Sequence, residues 1–180
     1  MIISPSKSSN SKNNINTIPL PSNNKTDNDN INTSFSNSPI KLYCENISEI
    51  NKQNENGWTP IYRSIIANNL EVLKELLKLG ANPNLTNNIG ESPVYLCVDI
   101  DNYEALNILL KNNADCNISK KNGTTPLHLA VKNKKEKFIK ILLENGADPN
   151  ISNKLYNQTP LHLAIINKIG EDILLCFKKK

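Results

Sequence analysis

The chain has 180 residues and a formal net charge of +4 at pH 7, and 38% of its residues are hydrophobic while only 5% are aromatic. No stretch approaches the roughly 18 consecutive apolar residues of a membrane span, and the apolar residues 1–3 give way at once to Ser, Pro and Lys, so no signal peptide is visible. These features argue against a membrane or secreted protein. We expect an intracellular protein, with the cytoplasm favoured as its location and the nucleus as the alternative.

Residues 1–38 form a low-complexity leader. They contain ten Asn and nine Ser, a single aromatic residue, Phe35, and no apolar periodicity. Burial of so few apolar side chains cannot offset the entropy that ordering the segment would cost. We therefore predict a disordered Asn/Ser-rich leader over 1–38.

Two serines of the leader are candidate phosphorylation sites. Ser4 and Ser38 each begin a Ser-Pro-x-Lys sequence, which proline-directed kinases favour. A phosphate on Ser38 would meet the positive end of a helix if that serine caps one. Ser-Pro is also an ordinary helix start, so a purely structural role is the alternative.

After the leader, a four-residue phrase recurs at nearly constant spacing. Its copies are Thr59-Pro60-Ile61-Tyr62, Ser92-Pro93-Val94-Tyr95, Thr125-Pro126-Leu127-His128 and Thr159-Pro160-Leu161-His162. Successive prolines are separated by about 33 residues, with one extra residue in the last interval. A period of this size predicts a stack of similar units, each of which buries its apolar face against its neighbours.

The residues of each unit predict two helices and a loop. Thr or Ser before Pro is an N-cap followed by proline at the first helical position, where the missing N–H costs nothing. After Pro126 an apolar face is broken by polar residues 133–135 and then resumes with helical spacing, which indicates two antiparallel helices. Gly80 and Gly146 then stand where a left-handed residue ends the second helix. The polar residues that follow predict an exposed loop.

This unit resembles the ankyrin repeat. A glycine precedes three of the phrases, and a Leu-Leu pair follows each of the first three prolines at the same distance, at Leu76-Leu77, Leu109-Leu110 and Leu142-Leu143. The segments that come next are Gly80-Ala81-Asn82-Pro83-Asn84, Asn113-Ala114-Asp115-Cys116-Asn117 and Gly146-Ala147-Asp148-Pro149-Asn150. The resemblance implies an all-α ankyrin-repeat solenoid, with paired antiparallel helices joined by β-turn fingers, that binds other proteins.

The register of the phrases predicts the domain boundaries. A degenerate N-terminal half repeat at 39–56 precedes ankyrin repeats at 57–89, 90–122 and 123–156 and a truncated C-terminal repeat at 157–180. The half repeat depends on Asn51, which stands one repeat length before Asn84. Its residues Ile40, Leu42, Tyr43 and Ile47 are expected to form one shortened helix that shields the first repeat.

No residue pattern points to chemistry. His128 and His162 stand at equivalent positions of successive repeats, and the resemblance gives them structural hydrogen bonds between neighbouring loops. Tyr62 and Tyr95 replace this histidine in the two earlier units, where we expect a weaker network. The four cysteines lack metal-ligand spacing, and no phosphate loop or nucleophile elbow is present. We expect no enzyme activity, no catalytic residues, no cofactor and no metal site.

The net charge changes sign along the chain. Residues 39–118 have six basic and ten acidic side chains, a net −4, whereas residues 119–180 have twelve and five, a net +7. The lysines concentrate in the third repeat, at Lys120, Lys121, Lys132, Lys134, Lys135, Lys137 and Lys140. A partner protein with an acidic patch would be steered there, although a solvated helix face is the alternative. Nucleic acid is disfavoured because the chain has one arginine and no stacking platforms, and we expect a monomer.

The resemblance also implies where a partner binds. Ankyrin repeats contact partners on a concave surface made of the finger tips and the inner face of the first helix of each unit, and we call this the concave surface. The matching residues are Glu55, Trp58 and Ala67, then Asn88, Glu91 and Asp99, then Lys121, Thr124, Lys132 and Asn133, and finally Tyr156, Gln158 and Asn167. Trp58 and Tyr156 are the candidate aromatic anchors. The chain is thus interpreted as an adaptor, scaffold or inhibitor. A regulatory fragment of a larger ankyrin protein, its effector domain absent here, is the alternative.

A second modification is implied by the resemblance alone. Asparaginyl hydroxylation of ankyrin repeats falls on an Asn that follows a leucine by eight residues, and Asn117 after Leu109 and Asn150 after Leu142 fit. The alternative is that this Asn only stabilises the turn of the finger.

Overall fold

The computed structural model of the protein describes residue 43 and residues 46–178. The predicted leader 1–38, with Ser4 and Ser38, lies outside the described residues, as do Ile40 and Leu42 of the expected shortened helix. The boundaries of the units given above stay a prediction.

The described residues form one short 3-10 helix, Ile47–Glu49, and eight α-helices, with no strand among them. The α-helices are α1 Pro60–Ile66, α2 Leu70–Lys78, α3 Pro93–Asp99, α4 Tyr103–Lys111, α5 Pro126–Lys132, α6 Glu136–Glu144, α7 Pro160–Ile166 and α8 Glu171–Lys178. They pair in chain order as four helical hairpins, which we call units one to four. The predicted all-α solenoid is confirmed.

The recurring phrase starts the first helix of every unit. The hydroxyl oxygen of Thr59 accepts the Tyr62 N–H at 3.3 Å, and that of Ser92 accepts the Tyr95 N–H at 3.1 Å. Each cap is extended and is followed by proline at the first helical position. The predicted helix starts are therefore confirmed, because the cap satisfies an N–H that has no partner inside the helix.

Left-handed residues end the second helices as predicted. Gly80 and Gly146 have φ values of 89° and 91°, and in unit two Asn113 takes this role at 60°. Asparagine tolerates this region better than other side chains. The same reason explains Asn157, which stands where the other units have glycine before the phrase and has φ of 50°.

A continuous core runs along the stack. The first helices contact one another in the order α1, α3, α5, α7, and the second helices do so in α2 with α4 and α6 with α8. Equivalent positions are fully buried in units one to three, for example Ile61, Val94 and Leu127, none more than 1% exposed. Units one to three therefore each bury an apolar face on the next unit, as a stack requires.

The N-terminal end of the stack is covered. Ile50 is buried, and Arg63 of α1 donates a hydrogen bond from Nη1 to the Tyr43 carbonyl at 3.2 Å. Ile47 begins the 3-10 helix and Tyr43 lies in a turn, so these two residues are not in an α-helix. A single 3-10 turn is what so short a segment can form.

Candidate protein-binding surface

The loops that precede the four units are β-turn fingers, as predicted. Each is closed at its base by a backbone hydrogen bond of 2.9 to 3.1 Å, from Asn54 N to Trp58 O, Asn87 N to Glu91 O, Lys120 N to Thr124 O and Asn153 N to Gln158 O. The first three have a glycine with positive φ at the turn, and the fourth has Asn157. The one-residue insertion in the fourth finger is thus accommodated without loss of the closing bond.

Neighbouring fingers are hydrogen-bonded to each other. The Asn88 N–H donates to the Asn56 carbonyl at 3.2 Å, and its side-chain Nδ2 donates to the Glu55 carbonyl at 2.6 Å. The Lys154 N–H donates to the Asn122 carbonyl at 2.8 Å. The finger tips therefore stand side by side in pairs with a fixed spacing.

A ladder of asparagines connects the units at the other end of each finger. The side-chain oxygens of Asn51, Asn84 and Asn117 accept the N–H groups of Asn82, Asp115 and Asp148 at 2.8, 2.8 and 2.7 Å. The equivalence of Asn51 and Asn84 was visible in the sequence, but the bond it makes was not. The sequence separation between the partners, which is the same in all three bonds, is the only signal that could have indicated it.

The ladder bears on the proposed hydroxylation. Asn117 also donates from Nδ2 to the Gly146 carbonyl at 3.0 Å, so both polar groups of its side chain are in use. Asn150 is exposed. Hydroxylation of either residue stays a prediction, and Asn117 would have to leave the ladder to enter the active site of an enzyme.

His128 has the structural role that the resemblance implied. Its Nδ1 accepts the Thr125 N–H at 3.1 Å, so the proton is assigned to Nε2, which donates to the Gln158 carbonyl at 3.0 Å. Burial lowers the pKa of His128, and the bond to Gln158, which raises it, does not offset that effect. The ring is therefore neutral and joins α5 to the fourth finger. His162 closes its own cap in the same way but is exposed.

Tyr62 makes a network of its own in place of the histidine bond. Its hydroxyl donates to Glu91 Oε2 at 3.2 Å and accepts from Asn87 Nδ2 at 2.9 Å, and Lys120 pairs with Glu91 Oε1 at 2.8 Å. The expectation of a weaker network is wrong at this position. Tyrosine extends further than histidine and reaches the side chains of the next finger. Among the described residues Tyr95 makes no such bond, but its ring lies 5.1 Å from Lys120 Nζ.

The protonation states of this network follow from burial and charge. Burial alone would raise the pKa of Glu91, but hydrogen bonds from Lys120 and Asn87, the charge of Lys120 and the Tyr62 hydroxyl together hold it below its usual value. Burial and then the charge of Glu91 raise the pKa of Tyr62, and burial with Glu91 and Asp99 raises the pKa of Tyr95 to about 12. Glu91 is thus ionised and both tyrosines are neutral at pH 7.

The candidate contact residues fall into two groups. Those that are exposed are Glu55, Ala67, Asn88, Asp99, Lys121, Lys132, Asn133 and Tyr156. Those that are half-buried are Trp58, Glu91, Thr124, Gln158 and Asn167. The members of the second group make contacts within the repeat stack. The ring of Trp58 stacks on Tyr62 with centroids 6.0 Å apart, and Asn167 donates to the Val131 carbonyl at 3.3 Å.

The lysines of unit three likewise fall into two groups, those paired with unit two and those exposed to solvent. Lys120 pairs with Glu91, and Lys135 donates to the Val98 carbonyl at 2.7 Å and pairs with Asp101 at 3.1 Å. The other five are exposed, at Lys121, Lys132, Lys134, Lys137 and Lys140. The positive patch is therefore smaller than the sequence cluster, because two of its charges are neutralised by unit two.

Within residues 43 and 46–178, no set of three or more His, Cys, Asp or Glu side chains is arranged to hold a metal ion. In the same part of the chain, every helix is too short or too polar to cross a membrane.

Helical hairpins stacked in register, with a finger before each, define an all-α repeat solenoid. A family model described as ankyrin repeats (3 copies) matches residues 32–120 and 101–177, and the chain belongs to the ankyrin repeat family. Proteins of this family are generally protein-interaction modules and typically are not enzymes. No curated protein matches the chain.

Proposed function

We propose that this chain is an adaptor, scaffold or inhibitor that binds a partner protein through its concave surface, inside the cell and in the cytoplasm. The observation that carries the proposal is the pairing of finger tips by hydrogen bonds, with exposed side chains on them. Glu55 and Asn88 stand on one linked pair of fingers, and Lys121 and Tyr156 on the other. A surface whose parts are held in place before binding has little ordering entropy to lose on association.

Tyr156 is the better of the two aromatic anchors. It is 74% exposed, so most of its ring is available for a partner to bury. Trp58 is half-buried and stacks on Tyr62, so its substitution would disturb unit one as well as any contact. A binding experiment should therefore change Tyr156 and leave Trp58 in place.

Charge supports a partner that is acidic where it meets unit three. Lys121 and Lys132 belong to the concave surface and are exposed, and Lys134 is exposed beside them. Charges of one sign on an exposed surface raise the association rate of an oppositely charged partner, and salt weakens that effect. Binding of this partner should weaken as salt rises from about 0.05 to 0.5 M.

An affinity capture from the cells that produce the protein tests the proposal. The tagged full chain is compared with Tyr156→Ala, Lys132→Glu and their combination, and we expect the double variant to retain at most about a tenth of the captured partner. Lys137→Glu is the matched control, because it makes the same charge change at an exposed position of α6, in the row of second helices, outside the concave surface. It should capture as wild type does.

Circular dichroism of each variant shows that its helices are intact. A partner captured equally by wild type and by the double variant would refute the concave site.

A further inference from the structure

One exposed residue of each finger belongs to a continuous row along the stack. It directly follows the residue whose N–H closes the finger, and the four members are Glu55, Asn88, Lys121 and Lys154, which we call the tip row. Neighbouring fingers touch at this row. A Cβ placed on the glycine of one finger would lie 2.6 to 3.2 Å from the backbone N of the tip residue on the next, for Gly57 with Asn88, Gly90 with Lys121 and Gly123 with Lys154. Close contact between fingers therefore fixes the spacing of the tip row.

A second row lies at the other end of the first helices. Between the two helices of each unit stands an exposed residue with positive φ, at Asn68, Asp101, Lys134 and Lys168, and we call these residues the turn row. Their φ values of 49°, 64°, 53° and 50° show that the four positions are structurally equivalent. Each first helix has seven residues, so the two rows are about 10 Å apart.

The charge changes sign along both rows between units two and three. In the tip row, Glu55 is followed by neutral Asn88 and then by the two lysines of units three and four. In the turn row, Asp101 of unit two is followed by the two lysines of units three and four. The same reversal at both ends of the first helices makes the surface between the rows dipolar along the stack.

The ends of α3 and α5 repeat the reversal. Asp99 and Lys132 are the last residues of these helices, which contact each other, and both side chains are exposed. Among the described residues neither makes an ion pair, and the same is true of Glu55 and Lys121. These four charges are therefore not neutralised by the stack itself, unlike Glu91 with its ion pair to Lys120.

Local stability does not account for the charges of the turn row. Asparagine, as at position 68, tolerates a left-handed backbone, whereas lysine at 134 and 168 is strained there. Asp101 pairs with Lys135 at 3.1 Å and still has 71% of its side chain exposed. Strained residues cluster at functional positions, and the turn row lies beside the concave surface.

We propose that the concave surface binds a dipolar segment of its partner, with basic side chains over units one and two and acidic side chains over units three and four. The proposal rests on the proposed function, and it adds the basic half of the ligand and the direction in which the ligand lies. Complementary charges along two parallel rows favour this register, and like charges oppose the reversed one. A uniformly acidic segment would be repelled by Glu55 and Asp99.

Fluorescence anisotropy with two synthetic peptides tests the proposal. Helices pack at about 10 Å, so three units span about 30 Å, which about nine extended residues cover. The dipolar probe has a block of lysines followed by a block of glutamates. The acidic probe has the same glutamates, with serine in place of each lysine. In about 0.05 M salt we expect wild type to bind the dipolar probe about threefold to tenfold more tightly.

The double variant Glu55→Lys with Asp99→Lys should reverse this order, so that the acidic probe binds more tightly. Each change introduces the residue that the chain already has at the equivalent position, Lys121 or Lys132, so the fold should be kept. Glu75→Lys with Glu104→Lys is the matched control, because it makes the same charge changes in units one and two at exposed positions of the second helices. It should keep the preference of wild type for the dipolar probe.

Wild type that binds the acidic probe at least as tightly as the dipolar one would overturn the proposal, and so would a preference that survives in Glu55→Lys with Asp99→Lys. The difference between the probes should vanish in about 0.5 M salt, and a difference unchanged there could not come from these charges. The proposed function is tested separately. It fails when Tyr156→Ala with Lys132→Glu captures as much partner as wild type, whichever probe wild type prefers.

Discussion

Glu91 is the side chain at which three successive units meet. It receives the Tyr62 hydroxyl of unit one, the Asn87 amide of its own finger and the Lys120 ammonium of the third finger. The side chains of Glu91 and Lys120 are 17% and 23% exposed, so the pair is largely shielded from water. A shielded ion pair with all its bonds made is costly to break from one side, because the remaining charge is left without compensation.

We expect Glu91→Gln to lower the free energy of unfolding by about 1.5 to 3 kcal/mol at pH 7. The neutral amide cannot balance the charge of Lys120, and its NH2 group must face either the Lys120 ammonium or the NH2 of Asn87. Glu71→Gln is the matched control, since Glu71 pairs with Lys74 on exposed α2 with 80% of its side chain accessible, and it should cost less than about 0.5 kcal/mol. Urea unfolding of the three proteins measures both values, and equal costs would show that Glu91 adds no more than a surface pair.

The difference in the free energy of unfolding between wild type and Glu91→Gln should depend on pH in one direction. The pKa of Glu91 in the folded protein lies below its ordinary value of about 4.3. Its contribution is therefore present above that pH and is lost as the pH falls through the pKa of the folded state. The gap between wild type and Glu91→Gln should stay constant from pH 7 to about 5 and narrow below about 4.

The sequence could not assign Glu91 to this network. Its position before the phrase matches the finger residues that contact partners in the family, and that was the basis for placing it on the concave surface. The deciding contact comes from Tyr62 in the preceding unit, whose hydroxyl reaches the side chain of Glu91 on the next finger. In unit three the shorter His128 occupies the equivalent position and contacts only the Gln158 backbone carbonyl of its next finger. Sequence spacing shows which positions are equivalent but not how far a different side chain reaches.

At the scale of the element, the fingers depend on glycine for two separate reasons. Gly57 has φ of 76°, and a Cβ there would lie 2.6 Å from both the N and the Oδ1 of Asn88 on the next finger. Gly146 has φ of 91°, but a Cβ there would meet nothing within 4 Å. The first glycine serves conformation and close approach together, and the second serves conformation alone.

This difference makes the two glycines a matched pair. Gly146→Ala should lower the free energy of unfolding by about 1 to 2 kcal/mol, the cost of a left-handed residue. Gly57→Ala should cost about 1 to 3 kcal/mol more, because the backbone of the neighbouring finger must move and the bonds of Asn88 to Glu55 and Asn56 are strained. Urea unfolding decides the matter, and equal losses for the two variants would mean that the fingers are not held at a fixed spacing.

The elements themselves were largely predictable from the sequence. Thr or Ser before Pro is a local signal, so each first helix begins where the phrase places it. The caps of the second helices vary more, because Asn69 and Asn102 cap α2 and α4 with their side chains while Lys135 at α6 makes no such bond. Lys135 instead bonds to the end of α3, in the unit before. Contacts of this kind depend on how units stack and have no local signal.

At the scale of the whole molecule, burial is uneven along the stack. The helix α5 buries six of its seven residues, whereas α7, with the same length and nearly the same sequence, buries two. The sequence predicted both helices equally well, since their patterns agree almost residue by residue. What differs is the neighbour on the outward side, which the pattern of one unit does not contain. In a stack where each unit is stabilised by its two interfaces, unit four therefore gains the least from packing.

We expect unit four to open before the rest of the stack. In native-state hydrogen exchange, the amides of α7 and α8 should exchange at least about tenfold faster than those of α3 to α6, because opening them exposes less additional apolar surface. Protection of α7 equal to that of α5 would contradict this ranking, and it would mean that Leu161 and Ile165, 37% and 61% exposed, contribute as much as their buried equivalents in α5.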